Sequence, residues 1–460
     1  MQGRVWVLAA VLAGGTMLGV SAARAAAPEG PLDVETAVRI ALEQNTVYLR
    51  SQAAVDAAAG SRLSALAGIL PSAGGDVSWS RSDQTSLSTL TEINGEPVPQ
   101  IDLPRNALNT SRSWGVDVTE SVSLSSWYDY RSAQSLLQAA RFGQAATRQD
   151  LAFQVRQQFY LALRAQDLLQ VQEEDKNLAE DELRRVQTMF DLGSVARVDV
   201  LRTQVRLADA DVALIRQRNQ VDIETSRLAT LIGFVAGTPL QLAGDLTGTP
   251  AVVDSAAATE DSMSRPDVLQ SEAALESASK NHRSAALSRL PTLFASVGVS
   301  GSSGDSEIDQ LDFNDETGQL ESINFQSDNT SDGLTVRVGA SVSLDAFLNS
   351  GRAKSAGAAR RQAEYDLENL RLGVQQELQE AILNHRTAAQ AIVAAERGVE
   401  AAEEDLRLSR ERYQQGLGTI LELTEAQVNL TRARYTLVDA KTSLKISEAA
   451  LAKARGHDFP

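Results

Sequence analysis

Residues 187–211 read QTMFDLGSVARVDVLRTQVRLADAD, and residues 410–434 read RERYQQGLGTILELTEAQVNLTRAR. Each stretch places an aromatic, Phe190 or Tyr413, three residues before a glycine, Gly193 or Gly416. Each then opens an amphipathic run on an acid, Asp199 or Glu422. A glycine between two helical runs frees the backbone for a tight turn. One helix–turn–helix is therefore written twice in the chain.

The repetition extends outward from these turns. Tyr48 begins YLRSQAAVDAAAG and Val268, 220 residues on, begins VLQSEAALESASK. At the same offset Leu70-Pro71 meets Leu290-Pro291, and the SVSL at Ser121 meets the SVSL at Ser341. Gly193 meets Gly416, Gln204 meets Gln427 and Leu207 meets Leu430 at an offset of 223, so the second half carries a small insertion. A period this long marks duplication of a whole domain and not a short solenoid repeat.

Both halves keep one internal order. An Ala-rich helical run comes first and should stop before Leu-Pro, because proline lacks a backbone N–H and restricts the residue before it. The period then changes to two. Trp114, Val116, Val118, Val122 and Leu124 alternate with small or polar residues, as do Leu334, Val336, Val338, Ala340, Val342 and Leu344. That pattern is a strand with one apolar and one wet face. Shorter alternations at Val77 and Trp79, and at Leu293, Val297 and Val299, supply partner strands. The expected strands run about ten residues, the length of a tilted β-span of a bilayer.

A soluble sheet alternates equally well, and the aromatics separate the two cases. Trp79, Trp114 and Trp127 lie in or beside the strands, and Trp127, Tyr128, Tyr130 and Phe347 cluster where strands end. Such belts sit at the membrane–water boundary of β-barrels. Glu120 interrupts the apolar face and is an exception to this pattern.

Long helices follow the strands. Leu378, Ala381, His385, Ala388, Ile392, Ala395, Val399, Ala402 and Leu406 recur in steps of four and three, up to Tyr413. This is a heptad seam, and a helix over 352–414 would be about 90 Å long. His385 reads as a tolerated polar seam residue. Four strands per chain cannot close a barrel, and an open edge cannot face lipid, so the chain should oligomerise. Three copies supply twelve strands, an even number suited to an outer-membrane barrel.

Composition narrows the class further. The formal charge is −17 with no basic stripe, which excludes nucleic acid as a partner. There is no cysteine, hence no disulfide and no thiol for an acylated N-terminus. His282, His385 and His457 are scattered, so no metal site, cofactor site or catalytic triad is expected, and the chain does not read as an enzyme. Arg4, the apolar run VWVLAAVLAGGTMLGV and the Ala23-x-Ala25 pattern read as a secretory signal over 1–25. The remaining boundaries are a first repeat at 26–232, a linker at 233–263 and a second repeat at 264–460. A periplasmic coiled-coil spacer would share the seams and the export signal but would not need the strands.

In this strand–helix order, and in the duplicated tips, the sequence strongly resembles the TolC-like outer-membrane efflux protein family over nearly all of its mature length. The resemblance implies a mainly α protein with a membrane β-barrel, assembled as a homotrimer in outer-membrane lipid and continued through the periplasm by an α-helical barrel. It implies an exit duct fed by an inner-membrane transporter of RND, ABC or MFS type through a periplasmic adaptor (membrane fusion) protein. The two tips then become periplasmic hairpins, with Leu192, Gly193, Ser194, Val195, Gly416, Leu417, Gly418 and Thr419 meeting the adaptor. Tyr413 is expected to donate its hydroxyl to Asp199 as a gating contact. Gly418 stands where some relatives carry a gating arginine, and Arg197 is the expected substitute. Glu422 and Glu425 match positions where the family often carries tunnel-lining aspartates, which implies an acidic ring at the entrance. Segments 82–111 and 300–332 are expected to be external loops, the second carrying nine acids and no lysine or arginine.

Overall fold

The two repeats give the same order of elements in the computed structural model, which describes residues 30–93, 96–247, 255–314, 317–342 and 350–456. The expected signal at 1–25, Phe347 and His457 lie outside the described residues. The first repeat runs α1 (Val34–Gln44), α2 (Thr46–Ala67), β1 (Ser72–Ile93), β2 (Glu96–Val122), α3 (Leu124–Asp191) and α4 (Arg197–Leu231). The second runs α5 (Ser255–Ser262), α6 (Pro266–Leu287), β3 (Thr292–Asn314), β4 (Gln319–Ser341), α7 (Gly351–Gln414) and α8 (Ile420–Arg455). α2 and α6 each have 22 residues and stop just before Leu70-Pro71 and Leu290-Pro291, where proline ends the ladder. α3 has 68 residues and α7 has 64, so each extends about 100 Å.

The four strands form one antiparallel sheet in the order β1-β2-β3-β4, so β2 and β3 join the repeats. Side chains on one face line up in apolar cross-strand rows: Val122, Leu293 and Ala340, then Val118, Val297 and Val336, then Val116, Val299 and Leu334. The opposite face carries serine, glycine, threonine and aspartate, with Ser78–Ser113 and Ser80–Ser111 hydroxyl pairs at 2.7 Å. Trp114 follows the apolar rows and stands over Gly301, where a β-carbon would collide with the indole. The next row holds Trp79 beside Arg112, and Arg112 pairs with Asp305 at 3.3 Å.

The strands are 22 to 27 residues long, which corrects the expected ten. The segments 82–111 and 300–332, expected as external loops, are mostly the upper arms of the two hairpins. The expected length was that of the apolar belt alone. Above it the ladder continues because backbone hydrogen bonds between equal arms need no apolar face, and Ser, Asn and Asp compositions read as loop. Leu124 is likewise not a strand residue. It is the first residue of α3, behind the N-cap Ser123, whose hydroxyl accepts from the Ser126 amide at 3.0 Å. Glu120 remains on the apolar face, opposite Ala295, and its Oε2 has no hydrogen-bond partner among the described residues. We find no physical account of this position.

Midway along the helices, a core forms where α1 packs on α3. Val38, Ile40 and Ala41 meet Val155 and Phe159, and Phe234, Leu240 and Leu246 from the segment after α4 join them. Leu32 makes a parallel bridge to Leu242. Asn45 kinks the chain between α1 and α2, capping Val47 and donating to the Leu231 carbonyl at 2.8 Å. The expected linker thus packs against the first repeat and carries α5 near its end. His385 on α7 is buried, with Nδ1 3.2 Å from Ser447 Oγ on α8, as a seam position requires.

Candidate functional site

The far ends of the helices, opposite the sheet, carry the repeated turns. At the first, α3 stops at Asp191 and Gly193 takes φ +73°, while the Ser194 amide donates back to the Met189 carbonyl at 2.8 Å. At the second, Gly416 takes φ +71° and the Leu417 amide donates to the Arg412 carbonyl at 2.8 Å. Both are left-handed helix caps in which the amide two past the last turn satisfies a free carbonyl. The next helices start differently. Thr419 caps α8 by accepting from the Glu422 amide at 3.2 Å, whereas Ala196 gives α4 no side-chain cap hydrogen bond.

These turns present Leu192 and Leu417 to solvent, 77 % and 69 % exposed, with Ser194 also exposed. Val195 folds inward onto a core of Val186, Val200, Leu406, Tyr413, Ile420 and Leu423. Gly418 lies against Arg412 and Glu422. The tip residues expected from the repeat therefore come together as two similar hairpin ends.

The expected gating contacts divide. Tyr413 is buried in the tip core and Asp199 is half-buried in the first turn of α4, where the helix N-terminus favours its charge. The hydrogen bond expected between them is absent, because the Tyr413 hydroxyl is buried without a partner among the described residues. Burial first, then the nearby Asp199 and Glu182 carboxylates, push the Tyr413 hydroxyl up to about 12. It stays neutral at any ordinary pH. Arg197 is exposed at the first position of α4.

Glu422 and Glu425 are both exposed, one turn apart on the first turns of α8. Arg412 Nη2 lies 4.0 Å from Glu422 Oε2, an exposed pair of small energetic weight. Arg412 was missed in the sequence, although it immediately precedes Tyr413. So was Glu182, which sits on α3 in three-and-four register with Ala179 and Val186. At the sheet end, Trp79 and Trp114 mark the upper border of the apolar belt. Trp127, Tyr128 and Tyr130 mark the lower one, within the first two turns of α3 and not at strand ends proper. Trp127 stacks under Arg131, 5.5 Å from the ring centroid.

Two kinds of edge are left without a partner in one chain. β1 and β4 are sheet edges. α4 packs on α3, and its other side exposes Val198, Leu201, Val205, Val212 and Ile215. Among the described residues no helix is long and apolar enough to cross a membrane, and no cluster of His, Asp or Glu could hold a metal ion.

The model of the outer membrane efflux protein family matches residues 37–234 and 262–457. The outer membrane efflux protein BepC of Brucella suis is 26 % identical over 293 residues, 61 % of this chain and 58 % of that protein. The chain thus spans a little over half the length of that relative. The CmeC outer membrane channel of Campylobacter jejuni superposes with TM-score 0.71 at 16 % identity, over 92 % of this chain and 85 % of that one. The open state of the MtrE outer membrane channel of Neisseria gonorrhoeae gives 0.69 at 18 % identity, over 92 % and 89 %.

Proposed function

The chain belongs to the outer membrane efflux protein family, and from that premise we propose that it is the outer-membrane channel-tunnel of a tripartite efflux or type I secretion system. Its place is the bacterial outer membrane, with the helices reaching into the periplasm. Three copies close the β1 and β4 edges into a twelve-stranded barrel, with the apolar rows toward lipid and the serine-rich face toward the lumen. The exposed apolar side of α4 is covered by the neighbouring copy. The two hairpin ends of each copy then ring the periplasmic mouth, where Leu192 and Leu417 meet a periplasmic adaptor and an inner-membrane transporter delivers the cargo. Tyr413, Asp199 and Arg197 belong to the closed mouth, and Glu422 and Glu425 face its opening.

The observation that carries this reading is the sheet: four long strands with one apolar belt bordered by tryptophan and with both edges unpaired. Native mass measurement in detergent together with planar-bilayer recording tests it. The expected result is a trimer that conducts, and a stable monomer that conducts would overturn the shared barrel.

A further inference from the structure

The inner face of α3 continues toward the tip through Asp175, Ala179, Glu182 and Val186. Asp175 is buried and fully partnered, taking two bonds from Arg206 Nη2 at 2.5 and 2.8 Å and one from Thr431 at 2.6 Å. Glu182 is different. It is 2 % exposed, yet neither carboxylate oxygen has a hydrogen-bond partner among the described residues. Arg185 Nε on the same helix is 3.8 Å away, too far for a hydrogen bond. Across from it on α7, Arg410 buries Nε and Nη2 without partners among the described residues, and Tyr413 buries its hydroxyl likewise. Groups able to satisfy one another are thus packed together without doing so, and each buried polar group left unpaired is costly. A looser tip core would let them pair with each other or with water.

We propose that Glu182 is a gate-positioning residue whose carboxyl proton sets how tightly the tip core shared by α3, α7 and α8 packs, so that acid tightens this end and alkali loosens it. The proposal rests on the channel reading above. A neutral carboxyl is tolerated in an apolar core, whereas a carboxylate without hydrogen bonds is not. Burial raises the Glu182 carboxyl above the usual range; Arg185 and Arg410 oppose the rise without cancelling it, and Asp181 adds to it. From α4 the facing charge is Asp199, acting on Tyr413. From α8 the tip core receives Ile420, Leu423, Ala426 and Leu430, and the adjacent Gln427, which does not titrate, is buried with its Nε2 unpartnered among the described residues. The packed tip therefore holds the proton more tightly than the opened tip. Its support is complete below the ordinary carboxyl pKa and is lost as pH rises through the raised value.

Hydrogen exchange of amides 180–195 in the assembled full-length protein, corrected for intrinsic rates, reads this opening directly. In the wild type, opening should rise by up to about tenfold per pH unit between the ordinary carboxyl pKa and the raised Glu182 value, and level off above it. Glu182→Gln should hold the acid-form protection at every pH, and Glu182→Leu, similar in volume and apolar, should do the same if the amide disturbs packing. Wild-type pH dependence retained in both variants would overturn the proposal. Conductance of the same samples is scored separately. A protein that never conducts removes the channel reading, while the exchange result still decides the role of Glu182.

Discussion

At Tyr413, spacing and packing decide different things. Its place at the end of the α7 seam follows from the three-and-four register, and the ring is buried as that register demands. The direction of its hydroxyl depends on how α3 and α4 lie against α7, which no spacing encodes. Because the hydroxyl is buried without a partner among the described residues, it contributes no hydrogen bond to lose. Tyr413→Phe is expected to leave tip stability unchanged or to raise it by up to about 1 kcal/mol, since an unpaired buried hydroxyl costs on the order of 1–3 kcal/mol. Thermal unfolding and tip exchange measure this, and a loss above about 1 kcal/mol would show that the hydroxyl is paired in the assembled protein. The shift to about 12 means that no titration of Tyr413 accompanies changes near neutral pH.

Among the elements, the two hairpin ends were the most legible. Gly193 and Gly416 each adopt a left-handed conformation, and in neither case would an added β-carbon meet anything within 4 Å. The glycine requirement is conformational and local, so it is visible in sequence. Gly193→Ala or Gly416→Ala should cost about 1–2 kcal/mol each, appearing as faster proteolysis and faster exchange at the altered tip alone. Equal effects at both tips from a single substitution would point to coupling between them. The hairpin arms were the least legible element. Alternation marks only the stretch where one face is apolar, and Asp305, Glu307 and Asp309 continue β3 through backbone bonding that leaves no hydrophobic trace.

For the whole molecule, the proposed threefold closure would set a ring of carboxylates at the mouth. Glu422 and Glu425 are exposed in one chain, and three copies would set six such groups around the mouth, favouring cations. Multivalent cations added on the periplasmic side should block the wild-type channel. Glu422→Ala with Glu425→Ala should lose that block and part of the cation preference. Arg412, 4.0 Å from Glu422, offsets part of the charge, so Arg412→Ala should strengthen the block. Equal block in all three proteins would place the constriction elsewhere.

The sequence alone determined the duplication, the order of helices and strands, the helix ends at Leu70-Pro71 and Leu290-Pro291, the α7 seam and the two glycine turns. All of these follow from local rules of period, proline and left-handed backbone, or from matching one half to the other. Tertiary structure decided the rest. It joined the repeats through β2 and β3, extended the strands past their apolar rows, and folded the segment after α4 onto α1. It also buried Glu182 against Arg410, 228 residues away in the chain, without pairing them. Each of these depends on which faces meet across distant segments. A carboxylate on a helix reads as solvated until the neighbouring helices exclude water from it.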